Sequence, residues 1–125
     1  MRDPAFARLK FPRTMRMKLS REFNHVRKEG KRVSRGCLIA NWKTLPAGSS
    51  ARLGVITARK LGPAVARSRA RRLLRETFRV HQRELREPVA LVLVARSAIL
   101  QKKLADVERD FLSVMRQAGL LKETQ

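Results

Sequence analysis

Residues 58–79 read ARKLGPAVARSRARRLLRETFR, and this segment decides how the chain can fold. It contains eight basic side chains and one acid, Glu76. Pro63 suits the first position of a helix, where the N–H that it lacks would be unpaired. At about 100° per residue, small and apolar side chains then share one helical face, and arginines spaced four residues apart share the other. The segment predicts a helix with one side for a core and another side for a polyanion.

The arginine face combines Arg67, Arg71, Arg75 and Arg79, with Arg72 beside it. Solvated helix faces usually mix charges, because like charges at four-residue spacing repel each other. Calmodulin-target and membrane-surface helices are also basic and amphipathic, but they carry bulky apolar residues where this helix begins with alanines. Small residues favour close packing on a sheet. An anionic partner is therefore favoured over a solvated surface.

The composition supports the same kind of partner. With 125 residues the chain has room for one domain, and its formal net charge of +20 predicts salt-sensitive binding to polyanions, nucleic acid first. The single cysteine, Cys37, excludes an internal disulfide and fits a small apolar strand residue. No apolar run resembles a signal peptide or a membrane span. We expect a cytoplasmic protein that has no membrane partner.

Apolar periodicity predicts further elements on both sides of the arginine helix, which we expect to reach about residue 83. The predicted elements are a helix that begins after the N-cap candidate Ser20, runs to Lys28 and is ended by Gly30, strands over 36–44, 52–57 and 89–95, and a helix over 104–118 ended by Gly119. The first two of these strands should pair as a hairpin. The strand over 89–95 is apolar throughout, which is typical of a strand covered on both faces.

This order predicts an α/β (α+β) sandwich in which helices pack on a small mixed sheet of about four strands, in the order α-β-β-(β)-α-β-α. We expect residues 1–15 to form a flexible basic arm, with Phe6 and Phe11 as docking points. Residues 16–122 should form a single RNA-binding domain.

Catalytic patterns are missing from the sequence. His25 and His81 stand far apart without a neighbouring motif, and each is interpreted as an ordinary surface residue. The acids are scattered, and no glycine pattern fits a phosphate-binding loop. Any enzymatic chemistry is expected to belong to a partner.

Residues 59–76, RKLGPAVARSRARRLLRE, resemble the hallmark segment of the protein subunit of bacterial ribonuclease P, approximately K-[KR]-[VIL]-G-N-A-V-x-R-N-R-x-K-R-x-x-R-E. Pro63 and Ser68 stand where that pattern has Asn, and Arg71 replaces a Lys. Arg27 stands where many members carry an aromatic residue. The resemblance extends in matching order over about residues 11–122.

The resemblance implies a left-handed β-α-β crossover through the central helix, whereas ordinary sheet rules predict a right-handed one. It also implies an accessory subunit of a ribozyme that removes the 5′ leader of precursor tRNA, with one protein per RNA subunit and with catalytic Mg²⁺ held by the RNA and substrate.

The residues that the resemblance assigns form two groups. Those expected to face RNA are Arg59, Lys60, Arg67, Ser68, Arg69, Arg71, Arg72 and Arg75. Those expected to line a leader cleft between the sheet and the first helix are Phe23, Ile39 and Asn41.

Two other classes share the charge and the size. A structural RNA-binding protein, such as a small ribosomal protein, would also lack catalytic groups, and only the ordered hallmark segment argues against it. A DNA-binding protein is disfavoured because no helix-turn-helix pair, zinc spacing or basic zipper is present.

Overall fold

The structure, a computed structural model, describes residues 10–18 and 20–122. Its main elements are α1 (Ser20–Glu29), β1 (Lys31–Arg35), β2 (Leu38–Thr44), β3 (Arg52–Ile56), α2 (Ala64–His81), β4 (Val89–Ala95) and α3 (Leu104–Ala118). Three helices and a four-stranded mixed sheet confirm the predicted α+β class. No helix within the described ranges is long and apolar enough to cross a membrane.

The strand order, β1-β2-β4-β3, corrects the predicted hairpin. β2 and β3 do not pair, because β4 lies between them, antiparallel to β2 and parallel to β3. Segment 45–51 therefore crosses the end of the sheet instead of closing a tight turn. The β3–α2–β4 connection joins neighbouring parallel strands, and its left-handedness remains a prediction of the resemblance.

The hairpin of this fold is formed by β1 and β2, and its first strand was absent from the predicted elements. β1 is an exposed edge strand with the sequence KRVSR, which has no apolar alternation to mark it. Gly36, at a φ of +57°, and Cys37 form the turn, so Cys37 is buried in a turn rather than in a strand. The Cys37 N–H donates to Asp110 Oδ2 of α3 at 3.0 Å.

The sheet is covered on its two faces by different helices. Leu38, Ala40 and Trp42 of β2 are buried on the face that carries α2 and α3, where the larger core lies. α1 packs on the opposite face through Val26, beside Val92 of β4. β4 is the strand covered on both faces, as its apolar run predicted.

The start of α2 differs in detail from expectation, and the structure describes part of the N-terminal segment. Pro63 is the residue before α2 and not its first residue, and it has an extended backbone. Residues 1–9, including Phe6, lie outside the described residues. Phe11 does dock on the domain, because its ring meets the Phe78 ring edge-on at 5.6 Å between centroids. The Met17 N–H donates to the Leu53 carbonyl oxygen at 2.8 Å, so segment 10–18 runs along β3 and α2.

The β1–β2 turn yields a stability prediction. A Cβ at Gly36 would lie 2.2 Å from Asp110 Oδ2, whereas a Cβ at Gly48, which also has a positive φ, would meet no atom within 4 Å. Gly48→Ala should cost about 1–2 kcal/mol through backbone strain alone. Gly36→Ala should cost about 1.5–3 kcal/mol more, because Asp110 must leave the Cys37 N–H. Urea unfolding measures both losses, and equal losses would contradict this role of Asp110.

Candidate nucleic-acid interface

The eight residues predicted to face RNA follow one another from a short turn into α2. Arg59 and Lys60 are exposed in a 3₁₀ turn (Arg59–Leu61). Within α2, Arg72 is fully on the outside, while the others are half-buried along the border of the packed face. The buried face of α2 includes Ala70, Leu74 and Phe78, and Arg72 lies on the opposite side of the helix.

Two of these arginines bind other parts of the chain. Arg69 Nη2 donates to the Lys102 carbonyl oxygen at 2.6 Å, which ties α2 to the segment before α3. Arg71 donates to Thr57 Oγ1 at 2.7 Å and to Ser68 Oγ at 3.0 Å. Both guanidinium groups are therefore oriented by the fold. Ser68, which departs from the family pattern, serves here as an acceptor for Arg71.

The side chains of the other five cationic residues make no hydrogen bond or ion pair with another described residue. They are Arg59, Lys60, Arg67, Arg72 and Arg75. Burial first, and then the charges of Arg16 and Arg71, lower the pKa of Arg75. This part of α2 thus carries uncompensated positive charge, which a bound phosphate would offset.

The three predicted cleft residues all face the α1 side of the sheet. Ile39 is half-buried opposite Ser34 and Val94, and Asn41 lies one pleat further along β2. Phe23 reaches this face from α1, and its ring packs so closely on β3 that a Cβ at Gly54 would lie 2.5 Å from it.

α1 separates Phe23 from Asn41. Phe23 lines a cavity of about 230 Å³ on the β3 side of the helix. Asn41 lines another cavity, of about 360 Å³, on the β1 side. The three residues therefore share a face of the sheet but do not form one continuous pocket. Phe23 also packs against the smaller core, so the ring supports the fold as well.

The cations around these cavities were not among the predicted site residues. Arg27, Lys28 and Arg32 surround Asn41, and Arg13, Arg16 and Lys18 surround Phe23. Arg27 and Lys28 follow the predicted Phe23 at helical spacing, so α1 periodicity could have placed them. Arg16 is placed by a parallel β-bridge to Leu53, which no local sequence pattern predicts.

The groups considered for catalysis have structural environments. His81 is buried, not exposed as predicted: it stacks on Phe111 with ring centroids 6.2 Å apart, and Nδ1 pairs with Glu84. His25 is exposed, and its Nε2 lies 3.0 Å from Lys43 Nζ. Burial, and next the Asp110 carboxylate, raise the pKa of the Cys37 thiol to about 12. Across residues 10–18 and 20–122, no three His, Cys, Asp or Glu side chains are grouped as metal ligands.

Comparison with protein-family models matches residues 11–119 to the family described as Ribonuclease P. The chain belongs to the ribonuclease P protein family. A ribonuclease P protein component from Syntrophomonas wolfei is 37% identical over 105 residues, which cover 84% of this chain and 87% of that protein. One from Clostridium acetobutylicum is 30% identical over 107 residues, covering 85% and 90%.

Solved structures of the ribonuclease P protein share the fold. A Staphylococcus aureus ribonuclease P protein mutant superposes with a TM-score of 0.79 at 24% identity, over 87% of this chain and 92% of that one. The Thermotoga maritima protein gives 0.72 at 24% identity, over 82% and 96%. The family match and the relatives give this chain the function of a protein component of ribonuclease P, which makes it part of an endoribonuclease.

Arg69 is hydrogen-bonded to the Lys102 carbonyl oxygen and Arg72 has no such bond, so the two residues provide a matched pair for testing the division between bonded and unbonded arginines. Arg69→Gln should lower the free energy of unfolding by about 1.5–3 kcal/mol, because the Lys102 carbonyl loses a charged donor. Arg72→Gln should leave it within about 0.5 kcal/mol of the parent value, as for other exposed positions. Urea unfolding of the free protein compares the two variants. The division would be wrong if Arg72→Gln proved as destabilising as Arg69→Gln.

Proposed function

We propose that this chain binds the catalytic RNA subunit of ribonuclease P through the cations of α2 and its preceding turn, and that it holds the 5′ leader of precursor tRNA on the α1 face of the sheet. One protein would join one RNA subunit. The observation that carries the proposal is the set of five cations at α2 that have no partner among the described residues.

Phosphate is the natural ligand for this set. Guanidinium groups match phosphate oxygens in geometry and charge, and each such bond is charge-assisted. Arg69 and Arg71 would take part only by giving up or sharing bonds that the fold provides. Arg67, Arg72 and Arg75 can bind without that loss, so they should contribute most to the affinity for the RNA subunit.

The α1 face suits an extended single strand. Asn41 is only 5% exposed, yet its amide makes no hydrogen bond to another described residue, and it opens into a cavity surrounded by cations. The amide is thus available to pair with a ligand in this cavity, and a base edge would supply both a donor and an acceptor. Arg27, Lys28 and Arg32 would contact the neighbouring phosphates.

Mg²⁺ fits the RNA better than this chain. Both cavities are lined by several arginines and lysines, which repel a divalent cation, and neither lining includes a carboxylate. We therefore assign catalytic Mg²⁺ to the RNA subunit and the substrate, where it would activate water and stabilise the charge that develops on the phosphate. The chain's own contribution is to bind and orient the two RNAs. No specific feature favours the alternative, a small ribosomal protein.

Reconstitution tests the proposal directly. The full-length protein is combined with a ribonuclease P RNA subunit and precursor tRNA at low Mg²⁺, where cations of the protein should help to offset RNA repulsion. We expect accurate 5′ leader removal that depends on both components. Unchanged cleavage with and without the protein would contradict the proposal, and so would cleavage by the protein alone after nuclease treatment.

The leader assignment is tested at Asn41. Asn41→Asp keeps the shape of the side chain but places a negative charge where an RNA strand is expected. Binding of precursor tRNA to the reconstituted complex should weaken by about 1–3 kcal/mol, the range of one lost base contact. Binding of mature tRNA, which has no leader, should be unchanged.

Gln101→Glu is the control, since it makes the same change in net charge at an exposed position away from the cavity. Filter binding with leader-bearing and leaderless tRNA measures the difference. If Asn41→Asp weakens binding of both tRNAs, and by no more than Gln101→Glu does, Asn41 does not contact the leader.

A further inference from the structure

A further concave surface, of about 520 Å³, lies where α2 meets segment 10–18 and the start of α3. We call it the arginine groove. Its apolar floor consists of Phe11, Leu73 and Leu104, and arginines from α2 and segment 10–18 form its rim. Its volume falls within the range of about 300–1,000 Å³ that is typical of small-molecule sites.

The wall of the groove contributed by segment 10–18 is held at several points. Phe11 packs on Phe78 of the core. Gln82 Nε2 donates to the Lys10 carbonyl oxygen at 2.7 Å, and Arg52 Nη1 donates to the Thr14 carbonyl oxygen at 2.7 Å. The groove is therefore part of the folded domain and not a gap beside a loose strand.

The charge of the groove selects an anion. Glu76 is the acid in its lining, and it is already paired with Arg79. Arg16, Arg72 and Arg75 have no acidic partner among the described residues. The Arg16 guanidinium carbon lies 5.2 Å from the centre of the Phe11 ring, and its buried Nε has no hydrogen-bond partner. A planar apolar group and a phosphate could both be bound here.

We infer that the arginine groove binds one unpaired nucleotide of the RNA subunit, with its base against the floor and its phosphate on Arg16, Arg72 and Arg75. This inference rests on the proposed function and adds a defined site to it. Single-stranded RNA is recognised through bases that leave the stack and lie on aromatic rings or guanidinium planes. A duplex would reach the rim but leave the floor empty.

Other occupants fit less well. The leader is assigned to the α1 face, which lies across the sheet from α2. The first nine residues, MRDPAFARL, carry two arginines and one aspartate, so their charge has the same sign as the rim. An RNA nucleotide supplies both the flat apolar ring and the negative charge that the groove lacks.

The first test uses the parent protein without RNA. Adenosine monophosphate and inorganic phosphate are titrated separately, and the Leu73 and Leu104 methyl signals are followed by NMR. We expect saturable shifts with the nucleotide and none with phosphate. If both ligands shift only arginine signals, the floor does not bind a base. A Phe6–Leu104 contact that the nucleotide does not displace would assign the groove to the N-terminus and overturn the inference.

The second test uses two matched variants with the RNA subunit. Leu104→Gln makes the floor polar without changing charge, while Leu100→Gln makes the same change at a residue that is 38% exposed and outside the groove. Leu104→Gln should weaken binding of the RNA subunit about three- to tenfold, a part of what one stacked base contributes. Its salt dependence should parallel that of the parent, because no cation is lost. Leu100→Gln should bind as the parent does.

These outcomes separate the groove from the proposed function. If the parent protein supports leader removal but Leu104→Gln binds the RNA subunit as tightly as Leu100→Gln, the nucleotide site is wrong and the function stands. If the parent protein fails to support leader removal, the proposed function is wrong, and the titration with adenosine monophosphate still decides whether the groove binds a nucleotide.

Discussion

The packing of α2 against the sheet determines which of its cations can meet a partner. Ala70, Leu74 and Phe78 are buried, and this fixes the rotation of the helix about its axis. Because successive residues turn by about 100°, Arg72 must then face outward and Arg75 must lie at the border. A different buried face would expose a different set of arginines, so the packing that forms the core also determines the cationic surface of α2.

Repulsion among closely spaced arginines is the cost of such a surface, and the fold reduces it locally. Arg71 is held by Thr57 and Ser68, and Arg69 is held by the Lys102 carbonyl oxygen. Fixing two guanidinium groups by neutral acceptors keeps them apart without adding acids that would weaken attraction to phosphate. Ser68 is short enough to bond Arg71 within one helical turn, which gives the departure from Asn at this position a structural role.

How far the sequence predicts this fold depends on whether a signal is local. β4 and α3 were predicted with their bounds because each has a strong apolar pattern and α3 ends at Gly119, which has a φ of +73°. β1 was missed because an exposed edge strand has little apolar alternation to show. The place of β4 between β2 and β3 was missed because strand order depends on where α2 carries the chain, which no short segment encodes.

The candidate site shows the same limit at the level of single side chains. Arg69 and Arg72 are like charges about one turn apart on α2, yet only Arg69 meets a carbonyl, from a residue 33 positions away. Phe23 and Asn41 lie on one face of the sheet, but α1 puts them in different cavities.

Arg16 and Arg75 line both the arginine groove and the cavity beside Phe23. The two surfaces lie on opposite sides of the sheet and meet at these two arginines near β3. If α2 holds the RNA subunit and the α1 face holds the leader, the same pair of charges is close to both RNAs. Phosphates bound on one side would then reduce the positive charge felt on the other. Binding of the two RNAs should accordingly be coupled through this edge, and the coupling should weaken as salt screens the charges.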